Sequence, residues 1–189
     1  PLVLLITSPT CFGFTLTYEE IEVLGQAATP EEIEVVRQAA ERGQVKAQFN
    51  LGLMYIYGMG ILPKDYTEAV KWIRKAAEQG HGIAQFTLGS FYEKGGWGVP
   101  RDYTEAAKWY LKAAEQGHVY SQFNLGVAYL NGKGVPQDNV LAYMWWNLSA
   151  ARGHEESKIN KRIVSEKMTK EQIAKAQKLS REWMADRQE

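Results

Sequence analysis

A repeat of 37 residues constrains this sequence more than any other feature. Three segments that begin at Ala47, Ala84 and Ser121 align without gaps, and each begins 37 residues after the last (47 to 84, 84 to 121). They read AQFNLGLMY, AQFTLGSFY and SQFNLGVAY. Self-similarity at such a period is typical of solenoids, in which each unit buries its apolar face against its neighbours. The sequence therefore predicts an array of small, similar units.

The second half of each unit repeats as well. The segments that begin at Asp65, Asp102 and Asp138 read DYTEAVKW, DYTEAAKW and DNVLAYMW. Each unit is thus predicted to be helix A, a glycine-containing turn and helix B. We interpret the aspartate as the cap of helix B, with Glu68 and Glu105 completing a capping box in the first two units. The units close on the pairs Gly80-His81, Gly117-His118 and Gly153-His154.

Glycine also recurs inside helix A, at Gly52, Gly89 and Gly126. Glycine within a helix costs about 1 kcal/mol relative to alanine, so its recurrence needs a reason. The best explanation is the close approach of a neighbouring helix. The segments Gly58-Met59-Gly60 and Gly132-Lys133-Gly134 lie between helices, where tight turns need the positive φ that glycine adopts.

The pattern Ala-Gln-x-x-Leu-Gly-x-x-Tyr, Gly-x-Gly, Asp-x-x-x-Ala-x-x-Trp resembles the Sel1-like repeat family, a relative of the tetratricopeptide repeats with a longer unit. The resemblance covers about residues 39–154. It implies an all-α superhelix, a solenoid of antiparallel helix hairpins that serves as an adaptor or scaffold. Some members are exported bacterial proteins with a cysteine pair in every repeat. Here the single cysteine, Cys11, lies outside the repeats, so activities of those relatives do not transfer.

The predicted organisation is three full repeats with helical caps. Thr29 followed by Pro30 predicts a helix start, since threonine caps helices and proline favours their first position. Thr169 with Gln172 predicts a capping box at the start of the last helix. The predicted segments are an apolar N-terminal segment at 1–16, N-terminal helices of a degenerate repeat at 17–43, repeats at 44–80, 81–117 and 118–153, and a partial repeat with a capping helix at 154–189.

The apolar run from Leu2 to Ile6 has two interpretations. It is either the remnant of a signal-peptide core or an apolar segment that packs on the fold. Signal peptides carry basic residues before the core, whereas residues 1–30 contain no Lys or Arg. The run is also far shorter than a transmembrane helix, so no membrane span is expected. Export stays open: the protein is periplasmic or secreted if residues 1–16 are a signal remnant, and cytoplasmic otherwise.

Charge and motifs indicate neither nucleic-acid binding nor catalysis. The 22 basic and 22 acidic residues balance, which disfavours attraction to nucleic acid. No phosphate loop, nucleophile elbow or metalloprotease motif occurs, so no enzyme, catalytic residue, cofactor or metal is expected. His81, His118 and His154 occupy one repeat position. Since packed helices lie about 8–10 Å apart and zinc needs ligands at about 2 Å, we expect these histidines to be structural. We expect the same of Trp72, Trp109 and Trp145.

The resemblance also implies where a partner binds. In tetratricopeptide-like superhelices, helix A lines the concave surface that holds extended or helical peptides. Asn50 and Asn124 are the better candidates, because helices do not favour asparagine, whereas the repeated phenylalanines either bind a partner or only pack between repeats. The predicted contact positions are Lys46, Phe49, Asn50, Leu53, Tyr57, Ile83, Phe86, Thr87, Ser90, Lys94, Tyr120, Phe123, Asn124, Val127 and Asn131.

Trp97 is a further candidate contact. It lies in a loop one residue longer than that of the first unit, and it has no counterpart in the other repeats. It either meets a partner or folds back onto the protein. The sequence favours a protein that binds a protein or peptide partner. We expect it to be a monomer or to self-associate weakly. Two other functions stay open: a structural role through self-association, and a hydrolase.

Overall fold

The computed structural model describes residues 29–187, and within them the fold is an all-α solenoid of antiparallel helix hairpins, as predicted. Helix A and helix B alternate along the chain. Besides its helices, this part of the protein has one isolated bridge between Gly96 and Val99. The helices are α1 (Pro30–Glu41), α2 (Val45–Tyr57), α3 (Tyr66–Glu78), α4 (Gly82–Lys94), α5 (Tyr103–Glu115), α6 (Val119–Asn131), α7 (Asn139–Ala151), α8 (Glu155–Ser165) and α9 (Lys170–Ala185).

The described residues form two compact units. Unit 1 comprises residues 29–88 and 95–100, and unit 2 comprises residues 89–94 and 101–187. The first half of α4 therefore belongs to unit 1 and the second half to unit 2.

Unit 1 has an apolar core to which α1, α2 and α3 contribute. A Cβ atom at Gly52 would lie 2.6 Å from Cγ1 of Ile73 on the facing helix, closer than real side chains approach. Glycine thus allows α2 and α3 to pack closely, which confirms the prediction for this position. The core residues are Ile33, Val36, Ala40, Leu51, Met54, Met59, Leu62 and Trp72.

Unit 2 is built around α7, which contacts α6, α8 and α9. A Cβ atom at Gly126 would lie 2.6 Å from Cδ1 of Trp146, and one at Gly89 would lie 2.7 Å from Cδ1 of Tyr110. The helix-A glycines of unit 2 therefore have the same cause as Gly52. The central core residues of this unit are Ala142, Tyr143, Trp146, Val164 and Ala176.

The repeated tryptophans are core residues, as predicted. Trp72, Trp109 and Trp145 are all buried. A lysine three residues later in the same helix covers the first two rings. Nζ of Lys75 lies 4.0 Å from the ring centroid of Trp72, and Nζ of Lys112 lies 4.2 Å from that of Trp109. These cation–π contacts complete the packing of the two rings at the surface.

Helix B begins at an aspartate cap in each of the three repeats, as predicted. The side chains of Asp65, Asp102 and Asp138 each accept hydrogen bonds from two backbone N–H groups of the first turn. The predicted capping boxes are wrong, however. Glu68 pairs with Lys71 at 3.0 Å, and Glu105 pairs with Lys108 at 2.7 Å. An oppositely charged residue one turn ahead competes with the cap backbone for the carboxylate.

Replacing Asp102 by alanine is expected to lower the free energy of unfolding of unit 2 by about 1 kcal/mol. In the wild type the Asp102 carboxylate accepts hydrogen bonds from the N–H groups of Thr104 and Glu105. The change leaves both groups without a side-chain acceptor. Urea-induced unfolding followed by circular dichroism measures the loss. The Asp102→Asn variant should stay near wild type, because an asparagine oxygen caps equally well. Equal losses in both variants would contradict the capping explanation.

The first and last described helices also begin as predicted. Thr29 and Glu32 form a capping box at α1, and Thr169 and Gln172 form one at α9. Cys11, the segment 1–16 and residues 17–28 of the predicted segment 17–43 lie outside the described residues. Between residues 29 and 187, no helix has the length and apolar character that crossing a bilayer requires.

Candidate functional site

The glutamine of the repeated motif joins helix A to the preceding helix B. Nε2 of Gln48 donates to the carbonyl of Ala40 at 3.2 Å. Gln85 and Gln122 make the same bond, eight residues back, to Ala77 at 3.0 Å and Ala114 at 3.2 Å. Each of these carbonyls also accepts from the backbone N–H of the glycine three residues later, so the glutamine supplies its second hydrogen bond. These buried side chains belong to the scaffold and are closed to a partner.

The repeated histidines cap helix A. Nδ1 of His81 accepts from the N–H of Ala84 at 3.1 Å. His118 and His154 accept in the same way, at 3.3 Å, from Ser121 and Ser157. An Nδ1 atom that accepts from a backbone N–H carries no proton, so the tautomer that caps the helix has its proton on Nε2. The expected structural role is therefore observed, and its form is a helix cap.

The histidine rings also receive the phenylalanines of the preceding helix A. The ring centroids of Phe49 and His81 lie 4.8 Å apart, and so do those of Phe123 and His154. Phe49 is buried, with 2% of its surface exposed, whereas Phe123 is only half-buried. Packing between successive helices A therefore accounts for Phe49 and leaves part of Phe123 available.

Burial makes two of these histidines hard to protonate. Desolvation lowers the pKa of His81, and the positive charge of Lys46 lowers it further. Desolvation lowers the pKa of His118 to about 4. Both rings stay neutral at pH 7 and keep the Nδ1 lone pair that the cap requires.

In unit 1 the predicted contact positions divide into buried and accessible residues. Phe49 and Asn50 are buried, at 2% and 6% exposure, and offer a partner almost no surface. The rest of the set is half-buried or exposed. These accessible residues are Lys46, Leu53, Tyr57, Ile83, Phe86 and Thr87.

In unit 2 all the predicted contact positions keep accessible surface. Tyr120 is the most open, with 53% of its surface exposed. Asn131 and Lys94 are exposed. The remaining residues are half-buried, namely Ser90, Phe123, Asn124 and Val127. Each predicted contact position between Tyr120 and Asn131 lies three or four residues from another one, so these positions form one face of α6. We call these five residues of α6 (Tyr120, Phe123, Asn124, Val127 and Asn131) the α6 face.

Trp97 folds back onto unit 1 and still presents part of its ring. Its ring meets that of Tyr66 edge to face, with centroids 4.4 Å apart, and 37% of its surface is exposed. Its φ of 54° is positive, which is rare for a bulky residue. Gly98, with a φ of 80°, follows it in the tight turn that Gly96 and Val99 close. Trp97 therefore folds back onto Tyr66, and contact of its exposed part with a partner stays a prediction.

Sequence reasoning missed a polar cluster in unit 2. The hydroxyl of Tyr110 donates to Oε2 of Glu93 at 2.7 Å, lies 3.2 Å from the hydroxyl of Ser90, and is hydrogen-bonded to Asn124. Burial raises the pKa of Tyr110, and Glu93 adds to the rise. Glu93, Tyr110 and Asn124 of this cluster line a shallow depression that has room for about one water molecule. Aligning the three repeats could have found it, because Ser90, Glu93 and Tyr110 occupy positions that are apolar in the other two repeats.

Comparison with known families identifies the repeat. Residues 45–81, 82–118 and 119–154 match the family model described as Sel1 repeat, and together they span more than half of the chain. The chain belongs to the Sel1-repeat family. No curated protein sequence is similar enough to it to count as a match.

Solved structures of bacterial proteins share this fold. A Sel1 repeat protein from Oxalobacter formigenes is 38% identical, over 70% of this chain and 98% of that one, with a TM-score of 0.65. The protein c5321 is described as a protective antigen present in uropathogenic Escherichia coli strains. It is 27% identical, over 96% of this chain and 48% of that one, with a TM-score of 0.59. The cysteine rich protein B of Helicobacter pylori is 25% identical, over 66% of this chain and 93% of that one, with a TM-score of 0.51.

Membership in the Sel1-repeat family carries a general function. Proteins built from Sel1 repeats are generally scaffolds for protein interaction, and the fold is typically non-catalytic. The described residues contain no group of three or more His, Cys, Asp and Glu side chains placed to hold a metal ion. In this Sel1-repeat chain the repeated histidines serve as helix caps and the repeated glutamines join successive helices.

Proposed function

We propose that this protein is a non-catalytic scaffold that binds an extended segment of a protein partner through its helix-A faces. The observation that carries the proposal is the α6 face. It combines an exposed aromatic ring at Tyr120, a partly open ring at Phe123 and amides at Asn124 and Asn131. Aromatic anchors supply most of the binding energy in protein interfaces, and amides can bond to a peptide backbone.

The proposal includes the accessible contact positions of unit 1 as a second surface. Lys46 is exposed, and Leu53 and Tyr57 are half-buried, so they give unit 1 a smaller mixed face. Phe49 and Asn50 are left out of the proposal because they are buried. No catalytic residue is assigned, since the repeated histidines already use Nδ1 as helix caps.

A paired change on the α6 face tests the proposal. We expect wild-type protein to capture a partner from lysate of the source cell, and the variant Tyr120→Ala with Asn131→Ala to bind that partner about tenfold or more weakly. Both residues are exposed, so the fold should persist, which circular dichroism checks. Mass spectrometry identifies the partner, and calorimetry with the purified partner measures its affinity.

A matched control lies on helix B of the same unit. Leu111 and Glu115 are exposed on α5, and changing both to alanine should leave the affinity unchanged. Equal affinity of the α6 variant and wild type would overturn the proposal for this face. A mass that rises with protein concentration, together with no captured partner, would favour the structural alternative of self-association.

A further inference from the structure

His81 differs from the other repeated histidines because its bonding fixes the position of its proton. Its Nδ1 atom accepts from the backbone N–H of Ala84 at 3.1 Å, so that atom carries no proton. At His118 and His154 a serine hydroxyl also lies within hydrogen-bond distance of Nδ1. Alanine at position 84 offers no such hydroxyl. The neutral ring of His81 therefore has its proton on Nε2, and this atom is a hydrogen-bond donor.

The Nε2 donor of His81 is accessible from solvent. Within residues 29–187 it makes no hydrogen bond, and it is not among the buried polar atoms that lack a partner there. The ring itself is held by the Ala84 cap and by the ring of Phe49, whose centroid lies 4.8 Å away. The structure thus fixes the direction of a donor that a ligand can reach.

An ammonium group lies beside this ring. Lys46 precedes Phe49 by three residues in α2, so the two side chains share one face of the helix. Lys46 is exposed, and none of the ion pairs within residues 29–187 includes it. Its positive charge lowers the pKa of His81, and no acidic group of the described residues opposes that effect. This side of unit 1 therefore holds a cation and an N–H donor without a carboxylate.

These two groups suit a carboxylate ligand. A carboxylate accepts hydrogen bonds and carries the charge that an ammonium group attracts, whereas another cation would be repelled. Hydrogen bonds between ammonium and carboxylate groups are roughly twice as strong as those between neutral groups. His81 is half-buried, and the lower dielectric constant around its ring strengthens the bond that Nε2 donates.

We infer that Lys46 and His81 form a binding site for the side-chain carboxylate of an aspartate or glutamate in the partner segment. The ammonium group of Lys46 pairs with that carboxylate, and Nε2 of His81 donates to one of its oxygens. Lys46 belongs to the accessible face of unit 1 that the proposed function includes. The inference rests on that function and adds an acidic residue to the chemistry of the partner.

Selection from a random dodecapeptide library displayed on phage tests the site with the full chain. Wild type should enrich peptides with Asp or Glu at one position. Lys46→Glu should lose that preference and enrich Lys or Arg, because the charge at the site is reversed. Lys64→Glu, the same change in the loop between α2 and α3, should select as wild type does. Both lysines are exposed, so both variants should fold, which circular dichroism checks.

Calorimetry with one selected peptide gives the magnitude. Replacing its Asp by Asn, or its Glu by Gln, should weaken binding to wild type about tenfold. The same replacement should hardly change binding to Lys46→Gln. The peptide should bind equally well with a free and with an amidated C-terminus. A requirement for the free C-terminus would contradict the assignment of the site to a side chain.

His81→Asn separates the donor from the helix cap. An asparagine oxygen can accept from the N–H of Ala84, so α4 keeps a cap, but asparagine has no group in the place of Nε2. The variant should unfold at nearly the same urea concentration as wild type and bind the acidic peptide about threefold to tenfold more weakly. Wild-type affinity in this variant would exclude His81 from the site.

The outcomes separate the carboxylate site from the scaffold proposal. Peptides enriched without an acidic preference, or with the same preference in Lys46→Glu, would overturn the site and leave the scaffold proposal standing. A library that yields no binder to wild type would overturn both. An acidic preference shared by wild type and Lys64→Glu and reversed in Lys46→Glu supports the site.

Discussion

Replacing Trp146 by alanine is expected to lower the free energy of unfolding of unit 2 by about 3–5 kcal/mol, the usual cost of removing a fully buried tryptophan. Only 1% of Trp146 is exposed, and its ring packs in the central core of the unit. Its Nε1 also donates to the carbonyl of Phe123 at 3.1 Å, which ties α7 to α6. Alanine loses the packing, leaves a cavity and removes that bond.

Urea-induced unfolding, followed by circular dichroism, measures this loss. Because two compact units can unfold separately, the analysis should allow two transitions and assign the shifted one to unit 2. Ile159→Ala is the matched control. Ile159 lies on α8 with 50% of its surface exposed, so the change should cost well under 1 kcal/mol. A loss below about 1 kcal/mol for Trp146→Ala would contradict the packing described here.

The close approach of Gly126 to this ring makes a sharper version of the experiment. With Trp146 present, Gly126→Ala is expected to destabilise by about 1–3 kcal/mol, because the new Cβ meets the ring. With alanine at position 146, the same change should stabilise by up to about 1 kcal/mol, since alanine favours the helix and the space is then free. The sign of one substitution would thus depend on its neighbour, as double-mutant cycles can show.

Much of this architecture could be predicted because it follows from local rules repeated three times. The helix-A glycines are costly in a helix, so their recurrence in the sequence by itself predicts close packing. The aspartate caps followed from the same reasoning. The capping boxes did not, because Glu68 and Glu105 each have a lysine three residues later. The choice between these partners depends on side-chain geometry that a motif does not contain.

The site was less predictable, because it depends on contacts between helices. Phe49 and Phe123 share a repeat position, yet one is buried and the other half-open. Identical motifs therefore differ in what they offer a partner. The cluster of Glu93 and Tyr110 needs the structure to bring together residues from α4 and α5. The sequence alone showed only that each departs from the apolar pattern of its repeat position.

Lowering the pH from about 6.5 to about 4 is expected to remove on the order of 3 kcal/mol of the stability of unit 2 through His118 alone. The pKa of His118 is about 4 in the folded protein, against 6.5 for an ordinary histidine. Between these values the unfolded chain binds a proton and the folded chain does not, so protons favour unfolding. The contribution of the neutral His118 ring to the stability of unit 2 is complete above pH 6.5 and is lost as the pH falls to 4.

The physical cause is the burial of the ring, and the cap makes the loss structural. Protonation at Nδ1 would remove the acceptor of the Ser121 N–H group at the start of α6. The same pH change should weaken unit 1, because the pKa of His81 is also lowered. Carboxylates titrate in this range too, so the wild-type profile alone does not isolate the histidine.

The variant His118→Asn isolates it. Asparagine caps helices without titrating, so the variant should lie within about 1 kcal/mol of wild type at pH 7. The free energy of unfolding of the variant, relative to that of wild type, should rise as the pH falls from 6.5 to 4. Urea unfolding of both proteins at each pH measures it. A nuclear magnetic resonance titration of the His118 ring should give a midpoint near 4. Parallel stability profiles for the two proteins, or a midpoint near 6.5, would show that the ring is open to water and that α6 does not depend on its neutral form.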